Sequence, residues 1–545
     1  METSNPIAPS TKQVTVSRWI DIFWLRGLLI LALGLGIFFR VTGLGNKIYS
    51  HDEAYASLRS AGYGKGDVLI FIQDGRDHTV QEIRSFLQPD KSKTIIDTLL
   101  ITARSGPHQA PLFYLLAHLW MRLVGDTTTA MRGLAALFGL LSILCMYWLS
   151  RELFHSPQKA LLTTALFAIS PFQILFSQDA RPYSLWTLAT LLSSAALLGA
   201  LRTNRLKGWL LYGLTIVVGV YTHALFLLVA LVHGLYFAGL YLRGYKKEYS
   251  GFLLACLLAF LAYLPWLFMF VSYWQGAVDG MDWVNRSTSW QQFIKGWALI
   301  FSSPFLDLDF STGNLIPYLL RGLVLVLIAW GLVYLAVRGS FQEKMFILSL
   351  FVIPASAFLL PDLLIGGMRS VSGRYFVPVT IAATMAVAYL LSDKLENLQS
   401  SASIRWKLLT GLVMAASLTS NLNSLQAESW WIKELGRVRP DFVNIVDQDQ
   451  TLLIVSTGQH GTTIGDVLLL SLELHHDVHF RFVKPSKDFT SDGMYKQVYW
   501  FPGSSEEVLR ISQQEGLQVE QVLPETLWQL QVRDECMICD GDSSD

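Results

Sequence analysis

The stretch PLFYLLAHLWMRLV, residues 111–124, decides how the chain is threaded. It is 14 residues long and carries His118 and Arg122. A spanning helix needs about 20 mostly apolar residues, and a shorter amphipathic one lies along the interface. The stretch therefore reads as a juxtamembrane helix. Counted as a span, it would invert every later connection.

Outward from it, eleven apolar runs are long enough to span: 20–42, 128–150, 159–177, 183–201, 207–222, 224–242, 251–273, 315–337, 343–361, 374–391 and 406–424. With a cytoplasmic N-terminus and 111–124 not crossing, the cytoplasmic connections hold most of the basic residues. These are Arg151 and Lys159; Arg202, Arg205 and Lys207; Arg243, Lys246 and Lys247; Arg338 and Lys344; Lys394, Arg405 and Lys407. The short outer connections hold Arg181, Arg369 and Arg374. This is the asymmetry of positive-inside insertion. A multi-pass plasma-membrane protein is expected, its first helix retained because no small-residue cleavage site follows a short apolar core.

Composition agrees. The 545 residues are 52 % hydrophobic and 15 % charged, against about 25 % charged in soluble domains. Net charge is zero, so nothing points to a nucleic-acid partner. Four cysteines make no disulfide framework: Cys145 and Cys256 lie in apolar runs, and Cys536 and Cys539 form CMIC in an acidic tail.

Three outer pieces follow: a first loop over 43–127, a second over 274–314, and the segment from 428 onward. The last changes character. TLLIVST, VHFRFV and KQVYWF read as strands, TIGDVLLLSLEL and SEEVLRISQQEG as helices. The expected fold is an all-α polytopic membrane domain over 1–427, including the first outer loop, with a small α/β extracytoplasmic domain over 428–545.

Four polar clusters fall on the outer side. SHDEAY carries Asp52 and Glu53 beside His51, where Ser50 or Asp52 also suits a helix N-cap. FSQDARPYSLW carries Asp179, Arg181 and Tyr183, a set that also suits a tight turn before Pro182. YTHALF places His223 in a turn between helices. MRSVSGRYFVPV places Arg374 and Tyr375 at a helix start, where a snorkelling arginine with an aromatic anchor is the structural alternative. Ionisable groups at membrane depth are costly and tend to mark function. Guanidinium groups grip phosphate bidentately, and a carboxylate near a hydroxyl acts as general base. The set therefore suggests an anionic ligand and proton transfer. LELHHDVHF, 472–480, offers His475, His476, Asp477 and His479, but it runs into a strand pattern and makes a poor zinc site. No glycine-rich phosphate loop or nucleotide fingerprint is present.

At these residues the chain resembles the GT-C glycosyltransferases, in particular the protein O-mannosyltransferase and aminoarabinose-transferase branch. The resemblance rests on SHDEAYA, on HQAPLFYLLAHLWMRLVGDTTTAMRGLAALFGLLSILCMYWLSRELF (108–154), on SPFQILFSQDARPY (170–183), on YTHALF and on GRYFVPV. It implies transfer of a sugar from a polyprenyl-phosphate carrier to a hydroxyl of a lipid, glycan or protein acceptor at the outer face, by direct inverting displacement. By resemblance, Asp52 is the base and Glu53 positions it or the acceptor. Arg374 binds phosphate, and Arg181 either joins it or locks the Asp179 turn. Asp179, Tyr183, His223 and Tyr375 line the substrate pocket. The family uses a divalent ion in some members and not in others, and the sequence decides neither. The loop at 274–314 is too short for the β-trefoil of eukaryotic-type mannosyltransferases, which points to the bacterial type. A transporter or lipid flippase, or an inactive scaffold of this fold, is the alternative; transporters place ionisable groups near the midplane and show inverted repeats, and neither is seen in the sequence.

Overall fold

The computed structural model describes residues 11–244, 248–308, 315–396, 402–432, 438–456, 462–483, 495–502, 505–515, 517–524 and 526–532. Cys536 and Cys539 lie outside them. The chain forms two compact units. The first comprises 1–44, 106–113 and 132–426; the second comprises 45–105, 114–131 and 427–545.

The first unit is helical. Among the described residues, six helices are long and apolar enough to cross a membrane: Thr128–Phe154, Tyr183–Thr203, Tyr249–Ser272, Leu315–Arg338, Phe341–Ile365 and Gly373–Glu396. Pro157–Ala168 and Pro171–Ser177, bent by 56° at their junction, pass the same test together. The apolar 17-residue helices Leu206–Thr222 and Phe226–Leu242, and the flanking helices Thr11–Val41 and Ala402–Gln426, account for the remaining expected runs. Each of the eleven runs is thus a helix or a helix pair.

Burial sorts these helices. Gly373–Glu396 is 94 % buried over its apolar window, whereas Tyr249–Ser272 is 17 % buried. Leu257, Phe260, Leu261 and Phe268 of the latter are exposed. Such a face would be an anomaly on a soluble protein but suits lipid. The buried helix packs through small residues, Ala382, Ala383, Ala386 and Ala388, with Thr380 and Thr384 bonding back to their own helix.

The bend between Pro157–Ala168 and Pro171–Ser177 frees backbone groups that lipid cannot satisfy. Protein supplies the partners instead. Asn421 Nδ2 donates to Ile169 O at 2.8 Å, Phe172 N donates to Ser303 O at 3.1 Å, and the buried Arg40 donates through Nη1 to Ala168 O at 2.5 Å. Gly36 lets helix Thr11–Val41 approach this point: a Cβ there would sit 2.5 Å from Ala168 O.

The second unit holds a six-stranded sheet: β1 (Asp77–Thr79), β2 (Thr451–Ser456), β3 (Val478–Val483), β4 (Gln497–Phe501), β5 (Leu517–Leu523) and β6 (Leu527–Val532). The order is β1-β3-β2-β4-β6-β5. β3, β2 and β4 run parallel, and β1, β6 and β5 add antiparallel. Every residue of β2 is buried, as expected of a central parallel strand read as a continuous apolar run. Leu452, Ile454, Trp500, Val508 and Leu530 form the core on one side of the sheet.

The structure divides the chain differently from the sequence-based expectation. The first outer loop does not group with the membrane helices. β1 pairs with β3 (Asp77 opposite Arg481), Ile48 N donates to Glu428 O at 2.9 Å, and Arg84 caps helix Thr462–Glu473 at Ser471 O and Leu474 O. The reason is polar. The loop's donors and acceptors find partners on the C-terminal segment, so 428–545 does not form a unit by itself. Helix Leu112–Leu123, within the stretch 111–124, spans about 18 Å at 1.5 Å per residue, short of a hydrocarbon core of about 30 Å. His118 is buried against Ser60 O (2.8 Å) and Thr98, and Arg122 donates to the carbonyls of Asp90 and Lys93.

Candidate active site

The first unit gathers Asp179, Arg181, Tyr183, His223, Arg374 and Tyr375 into one cluster. Each arrives on a defended piece of backbone. Helix Pro171–Ser177 ends at Gln178, whose side-chain amide donates to Phe39 O at 2.6 Å and Thr42 O at 2.9 Å. That ties the next turn to the end of the first helix. In the turn, Arg181 N donates to Asp179 O at 2.6 Å, and Pro182 then starts helix Tyr183–Thr203, since proline at a helix start loses nothing by lacking an N–H. Asp179 is buried, and Arg181 is half-buried with its guanidinium carbon 5.1 Å from the Tyr183 ring centre.

His223 sits in the reverse turn between Leu206–Thr222 and Phe226–Leu242. The turn is tight because Gly219 accepts the Phe226 ring: a Cβ on Gly219 would lie 2.3 Å from Phe226 Cζ. The imidazole stacks on Trp186 with centroids 4.5 Å apart and planes 11° apart, and lies 5.9 Å from the Tyr183 ring. Burial, reinforced by the positive charges of Arg181 and Arg374 and by His108, pulls the His223 pKa down to about 3. Its imidazole is therefore neutral at physiological pH. Burial, aided by Arg374 and opposed by Tyr183, lowers Arg181 to about 10, so this side chain stays charged. The two guanidinium groups lie close enough to repel each other, and the Asp179 carboxylate lies near enough to Arg374 to act on it electrostatically.

Arg374 and Tyr375 occupy the 3-10 turn that opens the buried helix Val377–Glu396. The Arg374 guanidinium carbon lies 5.6 Å from the Tyr375 ring, and that ring stacks on Phe358 at 5.2 Å. The preceding segment is clamped. Buried Asp362 accepts from Arg369 Nη1 at 3.0 Å and from Ser370 N at 2.6 Å, and Arg369 Nη2 donates to Asn285 Oδ1 at 2.6 Å. Gly367, at φ 123°, lies in a conformation that favours glycine.

In the second unit, Ser50 caps helix His51–Ser60 and Glu53 completes the capping box. Glu53 is fully buried, and its Oε2 accepts from Ser50 N at 2.9 Å and Ser50 Oγ at 3.2 Å. Asp52 is half-buried with its side chain 26 % exposed, and His51 Nε2 lies 3.4 Å from its Oδ1. The two acids therefore differ: Glu53 closes the helix end, and Asp52 lies beside His51 and stays partly exposed. Helix Thr462–Glu473 approaches this helix at Gly465, where a Cβ would fall 2.8 Å from Tyr55 and 3.1 Å from His51 Cβ.

Trp186 and His108 join the first cluster without having been singled out from the sequence. Both lie inside quoted motifs, FSQDARPYSLW and HQAP, so adjacency was the available signal. His475 and His476 both face Asp447 (3.5 and 3.2 Å), and among the described residues no group of three or more His, Cys, Asp or Glu side chains is arranged to hold a metal ion.

This architecture is that of a GT-C glycosyltransferase fold. Residues 108–269 match the family model described as dolichyl-phosphate-mannose-protein mannosyltransferase. Among solved structures, the chain is similar to ArnT from Cupriavidus metallidurans in the apo state, with TM-score 0.54 and 13 % identity over 93 % of this chain and 98 % of that one. It is similar to the same protein bound to undecaprenyl phosphate, with TM-score 0.52 and 12 % identity over 92 % and 98 %. It also matches the archaeal oligosaccharyltransferase AglB from Archaeoglobus fulgidus, in complex with an inhibitory peptide and a dolichol-phosphate, with TM-score 0.48 and 14 % identity over 84 % and 65 %. No curated protein matches the chain in sequence.

Proposed function

We propose that this protein is a membrane glycosyltransferase that moves a sugar from a polyprenyl-phosphate donor to an acceptor hydroxyl at the outer face of the plasma membrane. The observation that carries the reading is the convergence of Arg181 and Arg374 with Tyr183, Tyr375 and neutral His223, on turns held by Gln178 and by the Asp362–Arg369 pair. A site with two fixed guanidinium groups and aromatic walls suits a phosphate attached to a long apolar chain. The two similar ArnT structures, one of them bound to undecaprenyl phosphate, support this ligand class.

The reaction we assign is one inverting displacement. The acceptor oxygen attacks the anomeric carbon, the bond from that carbon to the phosphate oxygen breaks, and polyprenyl phosphate leaves with its charge held by Arg374 and Arg181. Asp52 takes the proton of the acceptor hydroxyl. Its partial exposure supports this assignment over Glu53, whose carboxylate is engaged at the helix N-terminus. The N-terminus is placed in the cytoplasm and residues 428–545 outside, on the basic-residue asymmetry.

Arg374→Lys and Arg374→Ala test the reading in proteoliposomes. Lysine keeps the charge but loses the planar fork, so donor use weakens; alanine abolishes it. Unchanged donor affinity and turnover in Arg374→Ala would remove the phosphate assignment.

A further inference from the structure

The turn that carries His223 fixes the proton on its imidazole. Leu225 N donates to His223 Nδ1 at 3.1 Å. A backbone N–H can only donate, so Nδ1 is the acceptor and carries no hydrogen. The neutral ring must then bear its hydrogen on Nε2. No described residue accepts that hydrogen, and the residue is only half-buried, so Nε2 faces accessible space. The ring cannot swing away, because Trp186 stacks flat on it and Tyr183 flanks it.

From this geometry we infer that His223 is a fixed neutral donor, presenting Nε2–H to a phosphate oxygen of the ligand held by Arg181 and Arg374. The inference rests on the phosphate-site reading above and adds to it a residue-level role: His223 binds the anion and does not transfer a proton. The charged and titratable groups facing it are Arg181, Arg374, His108 and Tyr183. The two arginines oppose a third positive charge, and a proton on Nδ1 would also break the Leu225 bond. Burial acts in the same direction, which is why the ring stays neutral across the physiological range.

The test compares wild type with His223→Leu, His223→Gln and Arg374→Ala as full-length protein in detergent. Binding of polyprenyl phosphate and of inorganic phosphate is measured from pH 5.5 to 8.5, with thermal unfolding as the folding control. His223→Leu should weaken polyprenyl phosphate at least tenfold, the loss expected of one hydrogen bond to a charged group. His223→Gln, whose amide N–H reaches the Nε2 position, should recover part of that loss. The ratio of wild-type to His223→Leu affinity should be constant across the pH range, which cancels the phosphate's own ionisation. Parallel loss of inorganic phosphate would mean that the headgroup alone is recognised; loss confined to the lipid form would mean that the chain and headgroup bind together. The nitrogen-15 signals of histidine in the wild type give a reading that needs no variant: one ring should keep the Nε2–H tautomer throughout. A ratio that climbs as pH falls, or a His223 ring that gains a second proton above pH 5.5, would overturn the inference. If Arg374→Ala loses binding while His223→Leu binds like wild type, the donor role is wrong and the phosphate site stands. If Arg374→Ala also binds like wild type, the underlying reading fails with it.

Discussion

Glu53→Gln and Asp52→Asn separate a structural acid from a chemical one. Glu53 Oε2 accepts two hydrogen bonds from Ser50 at the first turn of helix His51–Ser60, inside a buried site. Glutamine keeps one acceptor oxygen and loses the charge. A hydrogen bond to a charged group contributes about 1.5–3 kcal/mol and a neutral one about 0.5–1.5. A carboxylate at a helix N-terminus adds about 0.3–1 kcal/mol through the macrodipole. Glu53→Gln should therefore lose about 1–3 kcal/mol of stability, while the folded fraction keeps transfer within about threefold of wild type. Asp52→Asn should do the opposite. Its side chain is partly exposed but shares the helix's first turn, so the isosteric amide leaves unfolding within about 1 kcal/mol of wild type. The amide cannot take a proton, so transfer falls at least about a hundredfold. The assay pairs thermal unfolding in detergent with release of label from radiolabelled polyprenyl-phosphate sugars in reconstituted membranes. A stable but inactive Glu53→Gln beside an active Asp52→Asn would refute the assignment and make Glu53 the base.

Three further outcomes follow from the packing and the charges. Gly219→Ala should lower both the unfolding temperature and polyprenyl phosphate binding, because its methyl group meets the Phe226 ring and displaces the His223 turn; overpacking of this kind costs about 1–3 kcal/mol. Gly234→Ala, with nothing within 4 Å of the added carbon, is the neutral control. In the sheet, burial would raise the Asp77 pKa, but hydrogen bonds from Arg481 and Tyr495 outweigh it and hold the carboxyl below its ordinary 3.8. A depressed carboxyl stabilises the fold above the unfolded value and loses that contribution as pH falls through the folded one. The protection of β1 and β3 amides, taken relative to their intrinsic exchange rates, should therefore fall below pH 3.8 in wild type, and Asp77→Asn should flatten that dependence. For topology, cysteine at exposed Ser92 should react with an impermeant reagent on intact cells and cysteine at exposed Arg205 should not; the reverse pattern would invert the orientation.

The membrane helices were legible because lipid imposes one rule on every span: length and apolarity. The stretch 111–124 was legible as a short helix from its length and its own His118 and Arg122, which the structure shows bonded within the second unit. The capping box was also visible, as Ser50 followed three residues later by Glu53. β1 could not be read. Its three residues, Asp-His-Thr, have no apolar period and become a strand only because the edge of β3 lies open to them. Strands β5 and β6 were missed for a related reason: β6 lies between β4 and β5, β5 forms the edge of the sheet, and both places are set by tertiary pairing. In the candidate site, residues as far apart in sequence as Asp179 and Tyr375 lie in one cluster. What sequence could not give was the state of His223, which depends on a backbone N–H two residues away and on a stacked Trp186.

The central claim is transfer of a sugar from a lipid phosphate, and one measurement addresses it directly. Purified protein is reconstituted into liposomes with a radiolabelled polyprenyl-phosphate sugar and an extract of bacterial envelope acceptors, and the label is followed by its chemical form and its leaflet. Wild type should convert label from the lipid-phosphate form into acceptor-linked form, and neither Asp52→Asn nor Arg374→Ala should do so. Label that changes leaflet while staying on the lipid phosphate, equally in all three proteins, would contradict the claim and make the protein a carrier of the lipid.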